Sequence, residues 1–85
     1  MTVYRVTLKG EGIRVTFEGT ETPCGFYKNE FVWAKNSEQA IDRARANAAA
    51  ALRRNAAVNK ADLPGLSLKV DGIQAGLRLQ NLLQR

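Results

Sequence analysis

The chain has 85 residues, of which 13 are basic and 8 acidic, so its formal net charge is +5 and its pI is near 9.9. With 45% hydrophobic and 25% charged residues, the composition is typical of a globular protein rather than a disordered one. No apolar run approaches the length of about 20 residues that spans a membrane. We therefore expect one domain over residues 1–85, of a size at which self-association is common.

The residue types present exclude several kinds of site. The sequence has no histidine, which removes the commonest general base, the Ser-His and Cys-His pairs and the usual zinc sites. Cys24 is the only cysteine, so neither an internal disulfide nor a thiolate metal site can form, in agreement with a reducing compartment. Met1 leads directly into an alternating strand without a secretion signal, and we expect a cytoplasmic protein with no catalytic residue, cofactor or metal.

The first two predicted strands alternate between apolar and polar residues. Residues 2–9 place Tyr4, Val6 and Leu8 on one face, and residues 13–18 repeat the alternation. Glycines at positions 10 and 12 favour a tight hairpin turn between these strands. A polar loop is predicted over residues 19–25.

The third predicted strand, residues 25–34, is rich in aromatic side chains. Strict alternation places Tyr27, Phe31 and Trp33 on one face. A bulge near residues 28–30 would instead let Phe26 or Tyr27 share a face with Val32 and Ala34. In the bulge interpretation Val32 and Ala34 face the helix, and Trp33 lies on the opposite face.

An amphipathic helix follows this strand. Ser37 is the predicted N-cap, and Glu38 and Asp42 place negative charge in the first turn. Its many alanines make the helix slim, which favours a close approach to a sheet. The residues at the spacing of the buried face are Ile41, Ala44, Ala48, Ala51 and Leu52, and those on the far side are Arg43, Asn47 and Arg54.

The remainder of the chain predicts one more strand and a short helix. Asn59 is a possible C-cap, a turn is predicted at residues 63–65, and residues 66–71 alternate as a fourth strand that Gly72 ends. Residues 74–85 have the spacing of a second helix, with Leu77 pointing away from its apolar face. We expect Trp33 either to pack under the Leu79, Leu82 and Leu83 face of this helix or to form part of a self-association or ligand surface.

The predicted order is β-β-β-α-β-α, which belongs to the α+β class. It corresponds to an antiparallel sheet with one main helix on one face and a short C-terminal helix. If the third and fourth strands are parallel, the crossover between them is expected to be right-handed.

Two stretches resemble known families. Residues 25–44, GFYKNEFVWAKNSEQAIDRA, are similar to the aromatic strand and following helix of an RNA-recognition motif, although a hairpin follows the first strand where that family has a helix. Over more of the chain, the Gly25-Phe26-Tyr27 segment, the Phe31-Val32-x-Ala34 strand and the Glu38-x-Ala40 helix start resemble small bacterial proteins of uncharacterised function. That second resemblance agrees in element order and implies a bacterial, cytoplasmic protein.

These observations lead to two hypotheses about function. The first is a non-enzymatic interaction or assembly module, with a homo-oligomer or an acidic protein as partner. The alternative is RNA or DNA binding, through the helix or through the strand aromatics with Arg5, Lys9 and Arg14. The residues of the candidate partner surface are Trp33, Leu77, Arg43, Asn47 and Arg54.

Overall fold

The computed structural model describes residues 1–76 of the chain. Its three strands form one antiparallel sheet in the order β2-β1-β3, so the two outer strands flank β1 and run parallel to each other. The α+β class predicted from the sequence is confirmed. The elements are β1 (Thr2–Phe17), β2 (Thr20–Ala34), α1 (Ser37–Arg54), a 3-10 helix (Lys60–Gly65) and β3 (Ser67–Ala75).

The hairpin turn lies farther along the chain than the sequence predicted. Phe17 pairs with Thr20, which leaves Glu18 and Gly19 as a two-residue turn between β1 and β2. Both turn residues have positive φ, 51° and 79°, as a type I′ hairpin requires. The predicted turn at residues 10–12 and the predicted loop at residues 19–25 are therefore wrong, because residues 10–12 lie within β1 and residues 20–25 within β2.

The glycines at positions 10 and 12 belong to a β-bulge in β1. Glu11 and Gly12 lie opposite the single residue Gly25, and pairing with β2 resumes at Ile13. Gly12 has a φ of +90°, and a Cβ atom there would lie 2.5 Å from the main-chain oxygen of Gly65. Close approach of another backbone and a positive φ together require glycine at this position.

The predicted bulge near residues 28–30 is also wrong. Pairing between β1 and β2 is continuous from Thr2 opposite Ala34 to Gly10 opposite Phe26. Strict alternation therefore describes β2 correctly from Phe26 onward.

The helix α1 begins one residue earlier than predicted. Asn36, not Ser37, is the N-cap, and its side-chain oxygen accepts a hydrogen bond of 2.8 Å from the main-chain N–H of Gln39. The Gln39 side chain in turn accepts 2.8 Å from the main-chain N–H of Lys35. Two main-chain donors are thereby satisfied, in a variant of the capping box in which the glutamine bonds the residue before the cap instead of the cap itself.

Small side chains bring α1 close to the sheet. Ala40, Ala44 and Ala48 have no exposed surface, and they pack with Val6 and Leu8, which are also fully buried. The amphipathic helix predicted from the sequence is confirmed, while Ile41, Ala51 and Leu52 are only half-buried. The buried core under the helix is Tyr4, Val6, Leu8, Val32, Ala34, Ala40, Ala44 and Ala48.

The segment after α1 docks along the outer part of β1. Asn55 caps the end of α1. Asn59, predicted as a C-cap, instead caps the start of the 3-10 helix, where its side-chain oxygen accepts a hydrogen bond of 3.0 Å from the N–H of Ala61. The main-chain N–H of Asn59 donates a hydrogen bond of 3.1 Å to the carbonyl oxygen of Arg14. The main-chain N–H of Thr16 donates one of 2.8 Å to the carbonyl oxygen of Ala57. These bonds hold the loop against the strand.

The strand β3 is longer than predicted. It continues through Gly72 to Ala75, which pairs with Tyr4, so the first residues of the predicted second helix are strand. The rest of that helix, with Leu77, Leu79, Leu82 and Leu83, lies outside the described residues. Within residues 1–76, no helix has the length and apolar character needed to cross a membrane.

Candidate functional site

The two faces of the sheet differ in what covers them. Tyr4, Val6 and Leu8 of β1 point toward α1, and their neighbours in sequence point to the opposite face. No element of the described residues 1–76 covers that opposite face, which we call the open face. Its residues are Val3, Arg5, Thr7 and Lys9 of β1, Tyr27, Asn29, Phe31 and Trp33 of β2, and Lys69 and Gln74 of β3.

Three aromatic side chains of the open face are exposed in one column along β2. Tyr27 is 64% exposed, Phe31 46% and Trp33 62%. The buried residues Val32 and Ala34 fix this arrangement, because a register slip of one residue would exchange the two faces. The aromatics are therefore presented outward by the same alternation that fills the core.

Beside the aromatics of β2, the neighbouring strand β1 presents apolar, polar and basic side chains on the same face. Arg5 lies directly opposite Phe31, Lys9 opposite Tyr27 and Val3 opposite Trp33. Directly opposed residues in an antiparallel pair have Cβ atoms about 4.5–5.5 Å apart. In the middle row the hydroxyl of Thr7 donates 2.6 Å to the side-chain oxygen of Asn29.

Basic side chains extend the surface toward β3. Lys9 lies opposite Lys69, so two cations occupy one row of the open face beside Tyr27. The Nζ atom of Lys9 lies 3.3 Å from a carboxylate oxygen of Glu11. A hydrogen bond to that carboxylate, together with the charge of Tyr27 when ionised, raises the pKa of Lys9. Lys9 is therefore a cation at any physiological pH.

Two of the predicted helix residues lie beside this surface. Arg43 donates a hydrogen bond through its guanidinium to the main-chain carbonyl oxygen of Trp33. Arg43 and Asn47 line an open depression of about 390 Å³ at the edge of β2. The other residues of its lining are Phe31, Val32, Trp33 and Ala46.

The remaining predicted surface residues are not brought to this place. Arg54 lies exposed in the last turn of α1 and does not line the depression. Leu77 lies outside the described residues. Of the five predicted residues, the structure therefore gathers Trp33, Arg43 and Asn47.

Arg14, which the sequence suggested as a partner of the strand aromatics, is engaged elsewhere. Its guanidinium donates two hydrogen bonds of 3.0 Å to Asp62 and lies 3.2 Å from Glu21. These bonds, with one from its main-chain N–H, hold the pKa of Asp62 below its ordinary value. Arg14 therefore ties the 3-10 helix to the hairpin instead of extending the open face.

Sequence reasoning missed Lys69 as a member of the surface. Alternation places Lys69 only on the polar side of a strand, and its position opposite Lys9 depends on the pairing of β3 with β1. Sequence alternation assigns a face within a strand but carries no signal for which strand lies alongside.

A second depression, of about 520 Å³, lies at the β-bulge. Cys24 lines it together with Ile13, Arg14 and Asp62. The thiol of Cys24 is half-buried and lies 3.5 Å from the carbonyl oxygen of Gly25. Among residues 1–76 there is no group of three or more side chains able to hold a metal ion.

Comparison with protein families, curated proteins and solved structures finds no match for this chain.

Proposed function

We propose that this protein is a small non-enzymatic interaction module whose binding surface is the open face of the sheet. The observation that supports this most directly is the column formed by Tyr27, Phe31 and Trp33, each roughly half or more exposed. Contiguous exposed apolar side chains rimmed by polar ones mark interaction sites. Aromatic side chains in particular supply large contact areas at interfaces.

The non-enzymatic part of the proposal is supported by the residue types of the sequence. With no histidine and a single cysteine, the chain lacks the groups that most often supply acid-base or nucleophilic chemistry. A bacterial, cytoplasmic setting is part of the proposal. Its supports are the unpaired Cys24 and the similarity of the strand and helix motifs to small bacterial proteins.

Three kinds of partner suit a surface of aromatic and basic side chains: a second copy of the chain, an acidic protein and a nucleic acid. All three partners would contact the same residues of this chain, and they differ in which of their own groups pack on the aromatic side chains. One experiment can therefore test the surface before its partner is known.

The test is amide chemical-shift mapping of the full chain in three series: dilution, titration with polyglutamate and titration with short oligonucleotides. We expect at least one series to shift signals of open-face residues such as Arg5, Phe31 and Trp33. Changing Phe31 to Ser should abolish that response. The matched control is Phe17→Ser, since Phe17 is 67% exposed at the hairpin turn and is not part of the open face. The absence of an open-face response in all three series would overturn the proposal.

A further inference from the structure

We infer that the open face binds single-stranded nucleic acid, with bases stacking on Tyr27, Phe31 and Trp33 and phosphates contacting the cations of β1 and β3. The inference rests on the proposed function, because it takes the open face as the binding surface. It adds the chemical class of the partner. The cations are Arg5, Lys9 and Lys69.

The spacing of the aromatics suits successive bases of an extended strand. Phe31 and Trp33 are two residues apart on one face of β2, or about 7 Å along the strand, and Tyr27 lies about 13 Å from Phe31. Asn29 occupies the position between Tyr27 and Phe31 and offers an amide for hydrogen bonding. Stacking on aromatic side chains is open to any base, since every base has a π-face.

The cations lie where a backbone would pass. Arg5 is directly opposite Phe31, and Lys9 is flanked by Tyr27 on one side and Lys69 on the other. To contact a phosphate, Lys9 exchanges its exposed 3.3 Å ion pair with Glu11 for the phosphate oxygen. A strand whose bases stack on the β2 column would therefore run its phosphates over β1 and β3. The net charge of +5 acts in the same direction by attracting a polyanion.

A duplex fits this surface less well than a single strand. Base faces in a duplex are occupied by stacking on their neighbours, so the aromatic column could reach them only by insertion. Unpaired bases can leave the stack and lie on aromatic side chains directly.

The edges of the sheet argue against strand addition by a second copy of the chain. Strand addition needs unpaired main-chain groups along an edge strand. On β2, Pro23 has no N–H group and the carbonyl oxygen of Trp33 already accepts from Arg43. On β3, the carbonyl oxygen of Leu68 accepts 2.9 Å from Arg45. Both outer strands are thus partly blocked by groups of this chain.

The experiment measures binding of labelled oligothymidylate and oligouridylate of about 12 nucleotides, a length within the site sizes of single-strand binding folds, to the full chain. Anisotropy is followed as salt is raised, with a matched duplex and inorganic polyphosphate as comparison ligands. We expect the single strands to bind more tightly than either comparison ligand. With three phosphate contacts, the logarithm of the affinity should fall with the logarithm of salt with a slope of about −2.

Variants assign the binding to the aromatics and cations. Trp33→Ala and Phe31→Ala should each weaken binding roughly 5- to 150-fold, as the loss of one stacked base does. Trp33→Phe keeps a stacking ring, and near-normal binding by that variant shows that the fold is intact. Arg5→Gln should reduce the salt slope by about 0.7. The matched controls are Phe17→Ala and Arg54→Gln, which leave the open face intact and should bind as the unchanged protein does.

Several results would overturn the inference. The first is the absence of oligonucleotide binding at low salt. The second is that polyphosphate binds as tightly as the oligonucleotides and that Trp33→Ala does not change oligonucleotide binding. A strong loss with Arg54→Gln would place the nucleic acid on α1 instead. If the open-face signals respond to dilution or polyglutamate but not to oligonucleotides, this inference fails while the proposed function stands. If they respond to nothing, both fail.

Discussion

The carboxylate of Asp62 accepts three hydrogen bonds from Arg14, two of 3.0 Å from the guanidinium and one of 2.9 Å from the main-chain N–H. The same guanidinium lies 3.2 Å from Glu21 on β2. One arginine of β1 therefore joins the adjacent strand and the 3-10 helix. The chain after α1 is held to the outer part of the hairpin by these bonds and by those of Asn59.

We predict that Asp62→Asn lowers stability at neutral pH and flattens its dependence on pH in the acid range. The hydrogen bonds from Arg14 lower the pKa of Asp62 below its ordinary value of 3.8. The folded state then binds fewer protons than the unfolded state, so this contribution is present above that value and is lost as pH falls through the folded pKa. The measurement is the free energy of unfolding in urea from acid to neutral pH.

The difference between the unchanged protein and the Asp62 variant should be largest at neutral pH and shrink below about pH 4. Asp71→Asn is the matched control, because it makes the same chemical change in an exposed residue of β3. Equal pH profiles for the two variants would contradict an assignment of the acid-range loss to Asp62.

The glycine pair of β1 shows why one feature of the fold could not be read from the sequence. Glycine at positions 10 and 12 serves a tight turn and a β-bulge equally well, since both need a backbone that adopts unusual φ or tolerates close approach. The deciding fact is the pairing of Ile13 with Cys24 beyond the bulge, which is a contact between distant segments. Alternation within each half of β1 was predicted correctly because it depends only on which face is buried.

We predict that Gly12→Ala destabilises the fold by about 1–3 kcal/mol, the usual cost of a strained backbone position. Gly12 has a φ of +90°, and a Cβ atom there would lie 2.5 Å from the oxygen of Gly65. Gly25→Ala is the control on the opposite side of the bulge, where a new Cβ would meet only the oxygen of Gly10 at an ordinary 3.7 Å. Urea unfolding of both variants is the check, and equal losses would contradict the role of the bulge.

The start of α1 gives a second measure of what local sequence can predict. Asn36 and Ser37 are adjacent, and both are preferred N-cap residues, so residue type alone does not choose between them. The presence of the helix and the burial of Ala44 and Ala48 were predicted correctly from their spacing, whereas the buried Ala40 was not predicted and Ile41 is only half-buried. Periodicity over several turns is a stronger signal than one terminal residue, and the ends of helices are accordingly less certain.

We predict that Asn36→Ala lowers the free energy of unfolding by about 0.5–2 kcal/mol, the typical cost of losing an N-cap side chain. The reason is the 2.8 Å hydrogen bond that its side chain accepts from the N–H of Gln39. Ser37→Ala, one residue later and inside the helix, should change stability by less than about 0.5 kcal/mol. A larger loss for the Ser37 variant than for the Asn36 variant would restore Ser37 as the cap.

The candidate site was predictable in part. The aromatics of β2 and the cations Arg5 and Lys9 follow from alternation, which assigns them to faces without tertiary information. The position of Arg43 does not follow from alternation, because its contact with the carbonyl oxygen of Trp33 depends on how α1 lies across the sheet. Arg45, two positions later and about 200° around the helix, reaches the other outer strand at Leu68.

The contact between Arg43 and Trp33 leads to the last prediction. If Arg43 blocks the edge of β2, Arg43→Ala should expose that carbonyl oxygen and strengthen self-association through strand pairing. One additional hydrogen bond of about 1 kcal/mol would lower the dissociation constant about fivefold. Sedimentation velocity over a concentration series measures this. Arg54→Ala removes the same charge from the same helix away from the depression, so it should sediment as the unchanged protein does. A rise in association for both variants would assign the effect to lost charge repulsion, and no rise for Arg43→Ala would show that Arg43 does not protect the edge.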